Sequence, residues 1–192
     1  MKFKIGMKLT TKDIITTALF TALMIAGTFI RIPFPFLPVT FQTFICALAG
    51  MLLGPRLGAL SMTVYMLLGL TGIPVFTGGG GFPYIFKPSF GFILGFIAGA
   101  YVIGTVSKKL GKPLFSNNVK ALLAGLFTIY SIGIFYMLLI MRVYLGNQEA
   151  GLLFVLYSNL PYMAKDTLLF LIAAVISGSV LPRLQSLNNS AI

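Results

Sequence analysis

The chain contains no histidine and no tryptophan, a single cysteine, and only three acids in 192 residues: Asp13, Glu149 and Asp166. Each scarcity closes a class of chemistry. Without histidine there is no imidazole acid–base catalysis, and one cysteine with no histidine assembles neither a His/Cys metal site nor an internal disulfide. Cys46 lies inside an apolar run and reads as a small buried hydrophobe. Charged residues make up only 9% of the chain, against 58% hydrophobic residues and a mean hydropathy of +0.99. A soluble domain carries roughly 25% charged residues to keep its surface wetted. An integral membrane protein is the class that remains.

Fourteen basic residues give a formal charge of +11. They stand mainly at the ends of apolar runs, where they read as lipid contacts and topology determinants; no basic stretch interleaved with aromatics is long enough to track a nucleic-acid backbone. The N-terminal MKFKIGMKLTTKD is basic, with no recognisable cleavage site after the following apolar run, and reads as a cytoplasmic lead-in to a retained helix.

An all-α membrane bundle of one domain, residues 1–192, is expected. Six apolar segments can be marked: 14–30, 40–53, 57–70, 89–106, 119–141 and 161–181. Gly54-Pro55-Arg56 separates the second from the third. The second is short for a crossing that needs about 20 residues, so five spans with one re-entrant element is the competing count. With six spans and the N-terminus inside, the inner face receives Lys2, Lys4, Lys8, Lys12, Arg56, Lys108, Lys109, Lys112, Lys120 and Arg183. The outer face receives Arg31, Lys87, Arg142 and Lys165. Ten against four is the bias of the positive-inside rule, so both termini are expected in the cytoplasm.

Two stripes of small residues recur at helical spacing: Ala18, Ala22 and Ala26 on the first helix, and Gly91, Gly95 and Gly99 on the fourth. Such stripes permit close helix approach in lipid. Internal packing is expected for the glycines. The alanines suit internal packing and presentation to another membrane protein equally.

Polar groups that lipid does not explain gather near the outer end: Thr40, Gln42 and Thr43 at the head of the second segment, the run Thr71 to Pro88 with Gly78, Gly79, Gly80 and Gly81, and Asn159, Lys165 and Asp166 at the expected start of the sixth. Thr40 suits a helix cap or a site. An amide such as Gln42 needs a partner. The tetraglycine run suits a floppy exterior loop, but the aromatics that follow favour a loop folded over a cavity. Asp166 is the only acid in an expected span, where a charge faces protein or water. Lys165 points about 100° away from it on a helix. The two are therefore expected to meet different parts of a ligand rather than each other, unless Lys165 snorkels to the headgroups. Phe36, Phe82 and Tyr84 offer apolar walls, so the expected ligand is a small, partly apolar organic solute. No GxxxxGK[ST] loop is present, and no inverted repeat with interrupted helices is evident. Concentrating such a solute would then take an outside engine.

Three segments resemble the BioY family, the biotin-specific substrate-binding subunits of energy-coupling factor transporters. VTFQTFICALAGMLLGPRLGALSM (Val39 to Met62) is similar to a PxTxQT-like opening with a LAGxLLGxxxG-like continuation. LLGLTGIPVFTGGGGFPYIFKPSFGFILGFIAGA (Leu67 to Ala100) resembles a second signature with GxPVF and a glycine-rich loop. NLPYMAKDTLLFLIAAVI (Asn159 to Ile176) is the weaker third. The resemblance, over about Thr11 to Leu181, implies a six-helix subunit of a prokaryotic cell membrane that takes up extracellular biotin. It implies no enzyme activity and no catalytic cofactor. Partners would be a transmembrane coupling protein, facing an AxxxA-like stripe that Ala18, Ala22 and Ala26 match, and two cytoplasmic ATPases. The expected ligand contacts are Phe36, Thr40, Gln42, Thr43, Gly78 to Gly81, Tyr84, Ser89, Asn159, Lys165 and Asp166, of which the resemblance carries over Asp166. Two segments depart from the pattern. A PGDxxK-like opening keeps its aspartate as Asp166 but has Lys165 at the glycine position and Leu169 at the lysine position. A GPTGGY-like run appears as Lys87-Pro88-Ser89-Phe90-Gly91-Phe92, where only Pro88 and Gly91 keep their types. A stand-alone carrier or channel, and an intramembrane enzyme or structural subunit, are the other classes open to such a chain.

Overall fold

The computed structural model describes residues 9–32, 39–147 and 151–189. Five helices dominate: α1 (Thr11–Phe29), α2 (Gln42–Leu70), α3 (Phe90–Leu110), α4 (Phe115–Leu139, continued by a π-helical segment Ile140–Tyr144) and α5 (Leu152–Asn189). All five are long and apolar enough to cross a membrane. The two-residue strands β1 (Arg31–Ile32) and β2 (Val39–Thr40) pair antiparallel between α1 and α2, and a 3₁₀ turn (Phe82–Phe86) precedes α3.

α1 starts where a capping box permits. The Thr10 hydroxyl accepts from the Asp13 N–H, and the Asp13 carboxylate accepts from the Thr10 N–H, satisfying two otherwise orphaned donors. α2 is folded back on itself. Gly54 has φ 79°, ψ −175°, a conformation open to glycine, and Pro55 follows as the first residue of the second half, where its missing N–H is not needed. The turn is tight: a Cβ on Gly58 would lie 2.9 Å from the Ala49 carbonyl oxygen. The two halves therefore run antiparallel, and the Gln42 amide meets the Tyr65 hydroxyl across 23 positions of sequence.

α3 is central and packs against α2 and α4. Cys46 Sγ donates to the Phe96 carbonyl at 3.3 Å, linking α2 to α3. The glycine stripe faces α4: a Cβ on Gly95 would lie 2.8 Å from the Ile129 carbonyl, and one on Gly91 would meet the side chain of Tyr136. α4 answers with Gly125 against Ile103 and Gly133 against the Phe92 ring. Ala18, Ala22 and Ala26 are exposed, while Thr17, Phe20, Thr21, Met24 and Thr28 form the buried face of α1. The rim of the bundle is apolar, with Phe127 and Phe135 of α4 fully displayed.

The last helix departs from expectation. Pro161 does not begin it; α5 starts nine residues earlier, at Leu152, and runs through both Pro161 and Pro182. A proline removes one donor and crowds the carbonyl four residues back, here that of Tyr157. Asn159, Lys165 and Asp166 consequently lie in the body of the helix, and its N-terminal dipole does not act on Asp166.

Candidate binding site

One polar cavity opens among α2, α3, α4 and α5. Of the residues expected from sequence, Thr40, Gln42, Thr43, Tyr84, Ser89, Asn159, Lys165 and Asp166 line it. Asn159, Tyr162 and Asp166 fall at i, i+3 and i+7 on α5, one face of a helix. Folding α2 at Gly54 brings Tyr65 beside Gln42. The start of α3 contributes Phe92 and Phe96, and α4 adds Ile129 and Tyr130.

Asp166 is 4% exposed and is held from both sides. The Tyr130 hydroxyl donates to Oδ2 at 2.7 Å, and Lys165 Nζ pairs with Oδ1 at 2.5 Å. Thr43 lines the same cavity. Lys165 and Asp166 thus form a closed pair, contrary to the divergence expected of adjacent helix positions. The four-methylene stem of lysine is long enough to turn back over its neighbour, and Nζ also donates to the Thr40 carbonyl at 2.8 Å. That bond ties the strand before α2 to α5.

A second network lines the opposite wall. The Thr40 hydroxyl donates to Gln42 Oε1 at 3.1 Å, Gln42 Nε2 donates to the Tyr65 hydroxyl at 2.8 Å, and Tyr65 donates to the Val75 carbonyl at 3.1 Å. Thr40 is therefore not the cap of α2; Phe41 occupies that position. Asn159 is 1% exposed, its Nδ2 donates to the Val155 carbonyl at 2.8 Å, and its Oδ1 has no hydrogen-bond partner. A buried acceptor left unpaired costs about 1–3 kcal/mol. One that borders a cavity is positioned for a ligand donor.

The tetraglycine segment is folded rather than floppy, but Gly78, Gly79, Gly80 and Gly81 do not line the cavity. Gly79 pairs with Phe76, the Gly81 N–H donates to the Gly69 carbonyl at 2.7 Å, and the Gly78 carbonyl accepts from Lys87 Nζ at 3.0 Å. Gly79 and Gly81 take φ of 108° and 99°, and a Cβ on Gly80 would overlap the Ile73 carbonyl. The glycines let the loop close on itself. Its flanks, Thr77 and Tyr84, reach the cavity, where their hydroxyls lie 3.0 Å apart. Phe82 is 65% exposed and is no part of the wall. Phe36 lies outside the described residues.

Sequence reasoning missed Tyr65, Thr77, Phe92, Ile93, Phe96, Ile129, Tyr130 and Tyr162, all lining residues. For Tyr65 and Tyr130 a signal existed, since a phenol hydroxyl deep in an apolar span needs a partner. The apolar ones carry no mark that separates them from core.

A bundle of membrane-length helices around a cavity with both polar and apolar lining defines a membrane protein that accommodates a small solute. The BioY family model matches residues 2–186, and the chain belongs to that family. Among its relatives, the "Probable biotin transporter BioY" of Lysinibacillus sphaericus is 39% identical over 140 residues, 73% of this chain and 71% of the relative. The "Biotin transporter BioY" of Thermotoga maritima is 32% identical over 167 residues, 86% of this chain and 94% of the relative. The crystal structure of an S-component for biotin from an ECF-type ABC transporter superimposes with a TM-score of 0.78 at 27% identity, covering 93% of this chain and 95% of that one. These relatives are transporters or transporter components, not enzymes.

Proposed function

We propose that this chain captures biotin as the substrate-binding S component of an energy-coupling-factor importer, and that the cavity described above is the biotin site. The observation that carries the site is the buried, unpartnered Asn159 Oδ1 on the same cavity face as the clamped Asp166. The ureido edge of biotin supplies N–H donors for these two acceptors. Phe92, Phe96 and Ile129 offer apolar surface to its rings and methylenes. Lys165 meets the tail carboxylate by swinging its long stem away from both Asp166 and the Thr40 carbonyl to a charge-assisted bond with the ligand.

The proposed setting is a single domain crossing a prokaryotic cell membrane six times, both halves of α2 counted, with both termini cytoplasmic. It is supported by the fold-back at Gly54 and by the positive-inside bias. Capture is then from the outer side. A transmembrane coupling subunit docks on Ala18, Ala22 and Ala26, and two cytoplasmic ATPases power release. Biotin is the cargo, and the chain itself performs no catalysis.

Equilibrium binding of the purified protein to biotin, thiamine and riboflavin tests the assignment, with selective biotin binding expected. Asp166→Asn is expected to weaken biotin about 10- to 100-fold, the loss of one charge-assisted hydrogen bond. Biotin methyl ester tests the tail contact. It is expected to bind more weakly to the natural protein and equally with biotin to Lys165→Ala; an ester that binds as well as biotin to both forms removes Lys165 from that role.

A further inference from the structure

We propose that the crevice where the α2 turn meets the end of α3 binds the phosphodiester headgroup of an anionic phospholipid. Pro55, Arg56, Tyr101, Thr105, Lys108 and Lys109 line it, at the end of α3 remote from the biotin cavity. Its existence depends on the fold-back at Gly54, which brings Arg56 to the last turns of a helix some fifty residues further along the chain; a Cβ on Gly54 would lie 3.2 Å from Lys108 Nζ.

Three exposed cations converge on one crevice, and the chain has little with which to balance them. Of its acids, Asp13 serves the cap of α1 and Asp166 pairs with Lys165 in the cavity, so neither described carboxylate lines the crevice. Counter-charge must come from elsewhere. The shape of the lining favours a lipid. Lys108, Thr105 and Tyr101 are spaced i, i−3 and i−7 along one face of α3, running from the charged helix end toward the interior of the span. Tyr101 is 51% exposed, an amphipathic ring two turns in from Lys108 of the kind enriched at membrane interfaces. Three cations beside the Tyr101 ring and Pro55 match an anionic head with the first part of an acyl chain attached. Basic crevices between helix ends are suited to such headgroups, each nearby Lys or Arg adding attraction. The proposal is independent of the biotin assignment.

Native mass spectrometry of the purified full chain, titrated with phosphatidylglycerol or phosphatidylcholine, tests it. The natural protein is expected to retain phosphatidylglycerol selectively. Arg56→Gln/Lys108→Gln/Lys109→Gln is expected to weaken retention at least about tenfold. Lys112→Gln/Lys120→Gln, which removes exposed cations outside the crevice, is expected to leave it within about twofold. Arg56→Lys/Lys108→Arg/Lys109→Arg is expected to retain the lipid. If triple neutralisation prevents insertion, Lys108→Gln/Lys109→Gln is read in its place, with about fivefold weakening expected. Unchanged retention in the neutralised crevice overturns the proposal, as does an equal loss in the Lys112/Lys120 pair. Displacement of the lipid by millimolar inorganic phosphate assigns the crevice to a soluble anion instead. Indifference to lipid class shows that the crevice does not recognise an anionic headgroup. Either outcome overturns the lipid assignment.

Discussion

Two stripes of small residues share one spacing and meet opposite fates. Gly91, Gly95 and Gly99 are buried against α4, whereas Ala18, Ala22 and Ala26 stand exposed on the outside of α1. Spacing alone does not separate them, because i, i+4, i+8 puts any three residues on one helix face. What surrounds them does. On α3 the stripe is answered by Gly125 and Gly133 on a neighbour, so the two backbones approach until no Cβ fits. On α1 the opposite face carries Thr17, Phe20, Thr21, Met24 and Thr28 into the bundle, where Thr21 donates to the Ser61 carbonyl at 3.1 Å. The alanine face is left outward by default. The first stripe is consumed by the fold, and the second lies outside it.

The comparison can be broken most severely at Gly95. Gly95→Leu drives a side chain into the Ile129 backbone and is expected to destabilise the bundle by about 3 kcal/mol or more, read as loss of a cooperative thermal transition. Ala22→Leu introduces the same bulk at the same spacing on α1. It is expected to leave melting temperature and biotin affinity of the isolated chain unchanged, while biotin uptake in cells falls at least about tenfold, since a bulky side chain there removes close helix approach. Uptake at the natural rate would return the alanine stripe to the status of lipid-facing surface. Gly99→Ala is a milder probe, because its Cβ meets the movable side chain of Ile129 rather than backbone, and about 1 kcal/mol of lost stability is expected in denaturant titration. The smallest effect is expected for Ala22→Ser, which keeps the face small: uptake within about twofold and stability within about 0.5 kcal/mol.

Much of the helical layout is legible in the apolar runs, and Gly54-Pro55 marks the fold-back of α2 by local chemistry. The start of α5 was not legible, because Pro161 carries the same signature whether it opens a helix or is accommodated inside one. At the cavity, Gln42 and Asp166 stand out since an amide or carboxylate in an apolar run demands a partner. Tyr65 and Tyr130 are as important to the geometry but are half apolar, and pass for core. The glycines of the loop were visible as backbone freedom, yet which side of the loop would face the cavity depends on the closures at Gly69 and Phe76. The Lys165–Asp166 pair is not legible from backbone direction, because the lysine stem is long enough to turn back over its neighbour.

Composition and patterning determined that this chain belongs in a bilayer, that its polar groups gather toward one end, and where its main segments divide, because burial of apolar surface and the bending of Gly-Pro act locally. Only the tertiary structure decided which small-residue stripe was consumed in packing, that Gln42 and Tyr65 share a wall, that the glycine loop offers its flanks rather than its glycines, and that Arg56 meets Lys108. Each of those depends on which helix lies beside which, a property of the assembled bundle that no single segment carries.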